Sequence, residues 1–162
     1  MAANAMGEYF LDDVPSGDVA LIFLDIDGVL NSDSSRKAAR SSGVTMMEAF
    51  LPNQELCANL KRIVECTGCR IVLSSTWRFN ADELEDVEVA LASAGIRPLY
   101  GATPSWGGSG AETRGAEVLR WLSDSAPASV VAWIAVDDLD LHAWCHEIDE
   151  EHFELTLDAV GL

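Results

Sequence analysis

A chain of 162 residues with 27 Asp and Glu against 10 Lys and Arg has a formal charge of −17. Such a charge excludes a general polyanion-binding surface, because most faces of the molecule repel nucleic acid. Its 49% hydrophobic content excludes wholesale disorder, and its length suits one domain with a sizeable core.

Residues 1–18 read as an acidic, Pro/Gly-punctuated lead-in without the basic start of a signal peptide. Residues 19–162 read as a single domain. VALIFLD (19–25) is a near-continuous apolar run, the pattern of a strand buried on both faces. Residues 32–51 suggest a loop with at most a short helix, and SSRKAAR (34–40) is the one local basic excess. Pro52 suits the first turn of a helix whose apolar face is Leu56, Leu60, Ile63 and Val64 and whose end is Gly68. RIVLSS (70–75) is the next strand, and Asp82 can cap a helix over 83–94 with Leu84, Val87 and Leu91 inward. IRPLY (96–100) is a short strand candidate. After the Gly/Pro/Ser-rich loop 101–110 comes a helix over about 112–124, with Ala116, Leu119 and Leu122 on one face. VVAWIAV (130–136) reads as another buried strand, 139–147 as a short helix and FELTL (153–157) as an edge strand. Strands alternating with helices predict a parallel, doubly wound, three-layer Rossmann-like sheet. The longest apolar runs are strand-sized, well short of the ~20 residues of a membrane span. The expected setting is cytoplasmic, with Cys57, Cys66, Cys69 and Cys145 as free thiols.

Ligands of such sheets bind at the carboxyl ends of the strands. Asp25 and Asp27 follow the first strand, Ser74 and Ser75 end the second, and Asp137 and Asp138 end the 130–136 strand. All three polar clusters therefore fall on one rim. Carboxylates converging there must either hold protons or bind a cation, and oxygen ligands suit Mg²⁺ shared with phosphate oxygens. Ser74 can donate to a phosphoryl oxygen, and Arg114 supplies a fixed cation. Positioning and charge neutralisation are what phosphoryl transfer requires.

FLDIDGVLN (23–31), IVLSSTWR (71–78), TRGAEVLRWL (113–122) and WIAVDDLD (133–140) resemble, in order, the four motifs of the haloacid dehalogenase-like (HAD) superfamily. With the closing Gly161-Leu162, the set is similar to the small HAD domain of Swiss-army-knife RNA-repair proteins. The resemblance implies an HAD-like fold and a Mg²⁺-dependent phosphatase. Asp25 would be the nucleophile that forms an aspartyl-phosphate, and Asp27 the general acid and base. Asp25, the Asp27 backbone carbonyl and Asp137 would hold Mg²⁺, with Asp138 close by. Ser74 would bind the phosphoryl group and Arg114 would stabilise its charge. Gly28 would let the backbone turn and its N–H approach the phosphate. Motif III of the superfamily commonly carries Lys where this chain has Arg114, and DDLD leaves either Asp138 or Asp140 as the second acid of motif IV.

Short spacers between the motifs leave room for a minimal cap or none, with 32–51 as a flap over an open site fit for a large phosphorylated substrate. A nucleotide or nucleic-acid end fits the resemblance; the net charge disfavours tight polynucleotide binding. Ser75, Arg78 and Asn31 complete the candidate substrate contacts. Arg78 would reach a distal phosphate, and Asn31 the flap or substrate, structural support being its plainer role. Trp77 reads as packing, and Trp106 as a loop anchor or a stacking platform. Cys66 with Cys69, and His142 with His146, have metal-like spacings but no further ligands beside them, so neither pair is assigned a function. Two other classes remain: a catalytically quiet HAD-like binding module, and a phosphotransferase with the same nucleophile.

Overall fold

The computed structural model describes residues 17–108, 110–126 and 129–162, so nearly all of the acidic lead-in lies outside the described residues. The sheet begins with β1 (Val19–Leu24), whose side chains are buried on both faces apart from half-buried Ala20. It pairs in parallel with β2 (Arg70–Leu73) on one side and β4 (Val130–Asp137) on the other, so that Ile22 lies level with both Ile71 and Ile134. Strands β3 (Gly101–Ala102) and β5 (Phe153–Leu155) extend the sheet to the order β3-β2-β1-β4-β5, all parallel. The chain thus winds outward from β1 to β3, then returns across β1 to β4. The point of reversal lies between β1 and β4, where a ligand site is expected.

Alternation along the strands divides the core into two layers. Ile22, Leu24, Ile71 and Leu73 meet α3 (Gln54–Thr67) and α4 (Ala81–Ser93) through Leu56, Leu60, Val87 and Leu91. Leu21, Phe23 and Val72 meet α5 (Ala111–Asp124) and α6 (Leu141–Trp144) through Val118, Trp121 and Leu141. Phe23 makes edge-to-face contacts with Trp121 and Trp133 at 5.5 and 5.9 Å. The three-layer, parallel α/β architecture is the expected one.

Several local expectations are corrected. Residues 32–51 carry two helices, α1 (Asp33–Ser41) and α2 (Met46–Phe50), rather than a loop with at most a short helix. Ser32 caps the first, and Thr45 with Glu48 forms a reciprocal capping box on the second. Asn53, not Pro52, begins α3, because its side chain accepts from the N–H groups of Glu55 and Leu56. Asn80, not Asp82, caps α4 by accepting from Asp82 N–H. The third strand lies at 101–102 rather than 96–100, since Tyr100 and Thr103 carry its register to Ile71 and Leu73 of β2. The first half of β4 is not buried: Val131 and Ala132 are exposed, because β5 pairs only with residues 135–137. The buried face of α5 is Arg114, Gly115, Glu117, Val118 and Trp121, while Ala116, Leu119 and Leu122 are half-buried. Two charged residues occupy a face that hydrophobic periodicity alone assigns elsewhere.

The tail returns over the carboxyl end of the sheet. Thr156 N–H donates to Asp137 C=O (3.0 Å), and Asp33 and Ser34 N–H donate to the carbonyls of Asp158 and Ala159. Arg36 pairs with Asp158 at 2.8 Å, so one of the basic residues of α1 serves to dock this tail. Leu162 N–H donates to Val29 C=O at 3.0 Å. No helix among the described residues is long and apolar enough to cross a membrane.

Candidate active site

β1 ends in a backbone that must turn at once. Gly28 has φ +73°, and a Cβ there would collide with the Asp138 side chain. Only glycine combines that conformation with so close an approach. The turn leaves Asp25 at the strand end, 3% exposed, beside Asp137 at the end of β4, 1% exposed. One carboxylate oxygen from each of Asp25, Asp137 and Asp138 lies within 4.8 Å of the others. Asp140, by contrast, is exposed and caps α6 through Ala143 N–H at 2.9 Å. Asp138 is thus the motif IV acid that joins the cluster.

Arg114 reaches this cluster from the first turn of α5. A single nitrogen, Nη1, lies 2.8 Å from Asp25 Oδ1 and 2.9 Å from Asp137 Oδ2, and also donates to the Ser74 carbonyl. The guanidinium therefore bridges the ends of β1, β2 and β4. Burial opposes its charge, but Asp25 and Asp137 more than offset that and hold its pKa above the ordinary range.

Three carboxylates beside one cation leave a deficit of positive charge. Burial pushes the Asp137 carboxyl up to about 8, repulsion from Asp25 adds to this, and Arg114 opposes it. Asp25 is raised chiefly by burial, against Arg114, and Asp138 by burial with Asp25 and Asp158. A carboxyl crowded to the point of holding a proton at neutral pH, as Asp137 is, suits a site for a bound divalent cation. A stability consequence follows directly. Between pH ~4 and ~8 the folded protein holds a proton on Asp137 that the unfolded chain lacks. The melting temperature of metal-free protein should therefore fall by several degrees from pH 5 to pH 8.5. A melting series should show that slope flattened in Asp137→Asn.

Ser74 and Ser75, buried at the end of β2, have hydroxyls without a well-formed hydrogen bond, although Ser75 lies near enough to Asp25 to favour its charged form. Thr103, at the end of β3 and 4% exposed, has a hydroxyl in the same condition. Buried hydroxyls without partners are costly, and along this rim they mark where acceptor oxygens would be received.

The remaining candidates separate. Asp27 stands off the cluster: Asn31 Nδ2 donates to its Oδ1 and Trp77 Nε1 to its Oδ2, each at 2.9 Å. Asn31 is fully buried, accepts from Gly28 N–H (3.2 Å) and donates to Phe50 C=O (2.8 Å), so its side chain ties the motif I turn to α2. The Arg78 side chain is 3% exposed and paired with Glu117 at 2.5 Å. It also donates to the carbonyls of Ser75, Thr103 and Pro104, while Glu117 Oε1 accepts from Trp106 N–H at 2.9 Å. That pair clasps the loop after β3 to the end of β2. Trp106 is 56% exposed with the Arg120 guanidinium 5.5 Å from its ring centre. The His142 Nδ1 lies 2.7 Å from Ile148 C=O, and neither His142 nor His146 enters a metal-like cluster among the described residues. The four cysteines are free thiols.

Sequence reasoning missed three participants. Trp77 reads as packing in the sequence because its partner Asp27 lies 50 positions away. Glu117 carries no local signal beyond a charge on a helix that also holds Arg114. Thr103 sits in a loop whose strand register was misplaced.

A parallel sheet with an acidic cluster at the reversal between β1 and β4, an invading cation and a Gly28 turn defines an HAD-like domain. The chain belongs to the family of HAD domains in Swiss Army Knife RNA repair proteins, whose model matches residues 21–162. HAD domains are a hydrolase and phosphoesterase class. No well-described protein and no solved structure shows significant similarity to the chain.

Proposed function

We propose that the chain is a Mg²⁺-dependent phosphatase that hydrolyses a phosphomonoester through an aspartyl-phosphate on Asp25. The observation that carries this reading is the meeting of Asp25, Asp137 and Asp138 within 4.8 Å, next to Arg114 and the unpartnered Ser74 hydroxyl. Asp25, Asp137 and Asp138 would hold Mg²⁺, with the Asp27 carbonyl, and the ion when bound neutralises charge on the carboxylates and the phosphate.

Arg114 takes Oδ1 of Asp25, so Oδ2 would be the attacking atom. Its bond to phosphorus forms as the ester P–O bond breaks, and Asp27 gives its proton to the departing oxygen. Asp27 then takes a proton from water as that water attacks phosphorus, which releases inorganic phosphate and restores Asp25. Ser74 would hold a phosphoryl oxygen and Arg114 would offset the charge that develops, whereas the Gly28 N–H, expected to approach the phosphate, is given to Asn31 Oδ1. Arg78 and Asn31 would act on the substrate only through the loops they fix.

The family description supports a phosphorylated nucleotide or nucleic-acid end as the substrate. A charge of −17 favours contact with the terminus alone over extended polynucleotide binding. The test is a panel of phosphate esters with Mg²⁺, including 4-nitrophenyl phosphate and 3′- and 5′-phosphorylated oligonucleotides. Phosphate release that disappears on chelation and returns with Mg²⁺ is the expected result. A panel with no turnover at all would overturn the reading in favour of a binding module.

A further inference from the structure

Asp27 is the one carboxylate of the site whose two oxygens both rest on neutral donors. Trp77 Nε1–H meets Oδ2 and Asn31 Nδ2–H meets Oδ1, each at 2.9 Å. Both groups facing Asp27 only donate, the indole N–H of Trp77 and the amide N–H of Asn31, while Asn31 Oδ1 faces Gly28 N–H instead. These contacts therefore fix where the carboxylate points.

The Trp77 ring is anchored independently of that contact. It is 8% exposed, packs in the layer formed by Leu24, Leu73 and Val87, and is the second residue of the turn (Thr76–Phe79) that follows Ser74 and Ser75. Ring and N–H thus do separable work: the ring belongs to the core, while the N–H is aimed across 50 residues of sequence at motif I. A buried indole N–H needs an acceptor, and the one it meets here is the Asp27 carboxylate.

We propose that Trp77 is a positioning residue that holds the Asp27 carboxylate in the orientation from which it transfers a proton to the leaving oxygen. This rests on the phosphatase reading, in which Asp27 is the general acid. An alkyl leaving group needs that proton as the P–O bond breaks, whereas 4-nitrophenolate departs without it. Positioning and mere structural support therefore predict different selectivities.

The experiment compares Trp77→Phe with wild type in kcat/KM, which reports the steps up to leaving-group departure, for an alkyl phosphate and for 4-nitrophenyl phosphate. Expected is a loss of about 10–100-fold on the alkyl ester that exceeds the loss on the aryl ester by at least tenfold. Trp77→His, which restores a ring N–H, should recover part of the difference. Equal losses on both esters, or none, would overturn the proposal while leaving the phosphatase reading intact. The alkyl ester is one that the panel shows to be turned over, and wild-type protein inactive on the whole panel would overturn the phosphatase reading and this inference with it. Should Trp77→Phe fail to fold, the indole ¹⁵N–¹H signal of Trp77 in intact protein decides instead. Its exchange with solvent should quicken at least tenfold in Asp27→Ala, and unchanged exchange would overturn the contact.

Discussion

Replacing Asp25 by Asn is expected to lower Mg²⁺-dependent ester hydrolysis by at least about 10⁴-fold, because an amide oxygen cannot form the phosphoryl bond. The same substitution should leave the metal-free protein no less stable at pH 8 than wild type. Asp25 is buried and its burial disfavours the charged form, so a neutral isostere removes a cost while its oxygen can still accept from Arg114. Turnover and melting temperature measured on the same preparation check both halves. Activity within about tenfold of wild type would remove Asp25 from its proposed role. A large loss of stability would show instead that the carboxylate is held for folding. The two outcomes differ because a site that concentrates negative charge for a cation and a phosphate is strained while it waits for them.

That strain explains which parts of the molecule were legible in the sequence. β1 and the rim it reaches are written in a local pattern: an apolar run, then Asp25, Asp27 and Gly28, with no alternative use for a buried carboxylate at a strand end. The meeting of Asp25 with Asp137 was legible too, since parallel strands deliver their ends to the same rim. Helix boundaries were less so, because competing caps lie within three residues of one another; Asn53 displaces Pro52, and Asn80 displaces Asp82. The α1–α2 pair was hidden by polar composition, although Thr45 and Glu48 already held the spacing of a capping box. The contacts that tune the site were the least legible. Trp77 to Asp27 and Arg78 to Glu117 join residues 50 and 39 positions apart, and nothing local distinguishes such a Trp or Arg from one that merely packs or faces solvent.

Arg114 tests how far a charge can be exchanged at this point. Removing it as Arg114→Met should destabilise the metal-free protein by about 3–5 kcal/mol at pH 8, the usual cost of leaving buried carboxylates without their cation. The loss should shrink toward pH 5, because Asp137, raised to about 8, and Asp25, raised in the same direction, shed the unpaired charge by taking protons. Mg²⁺ should recover part of it by supplying the missing charge to the same oxygens. Arg114→Lys should behave differently. Among the described residues, the contacts of Arg114 to Asp25, Asp137 and the Ser74 carbonyl all run through the single nitrogen Nη1 rather than through a bidentate fork. A lysine ammonium offers three donors from one atom and can serve the same three acceptors if its shorter stem reaches. Chemical denaturation of both variants at pH 5 and pH 8, with and without Mg²⁺, should therefore place Lys close to Arg and Met far below. If Lys falls as low as Met, the planar shape or reach of the guanidinium matters here, and not only its charge.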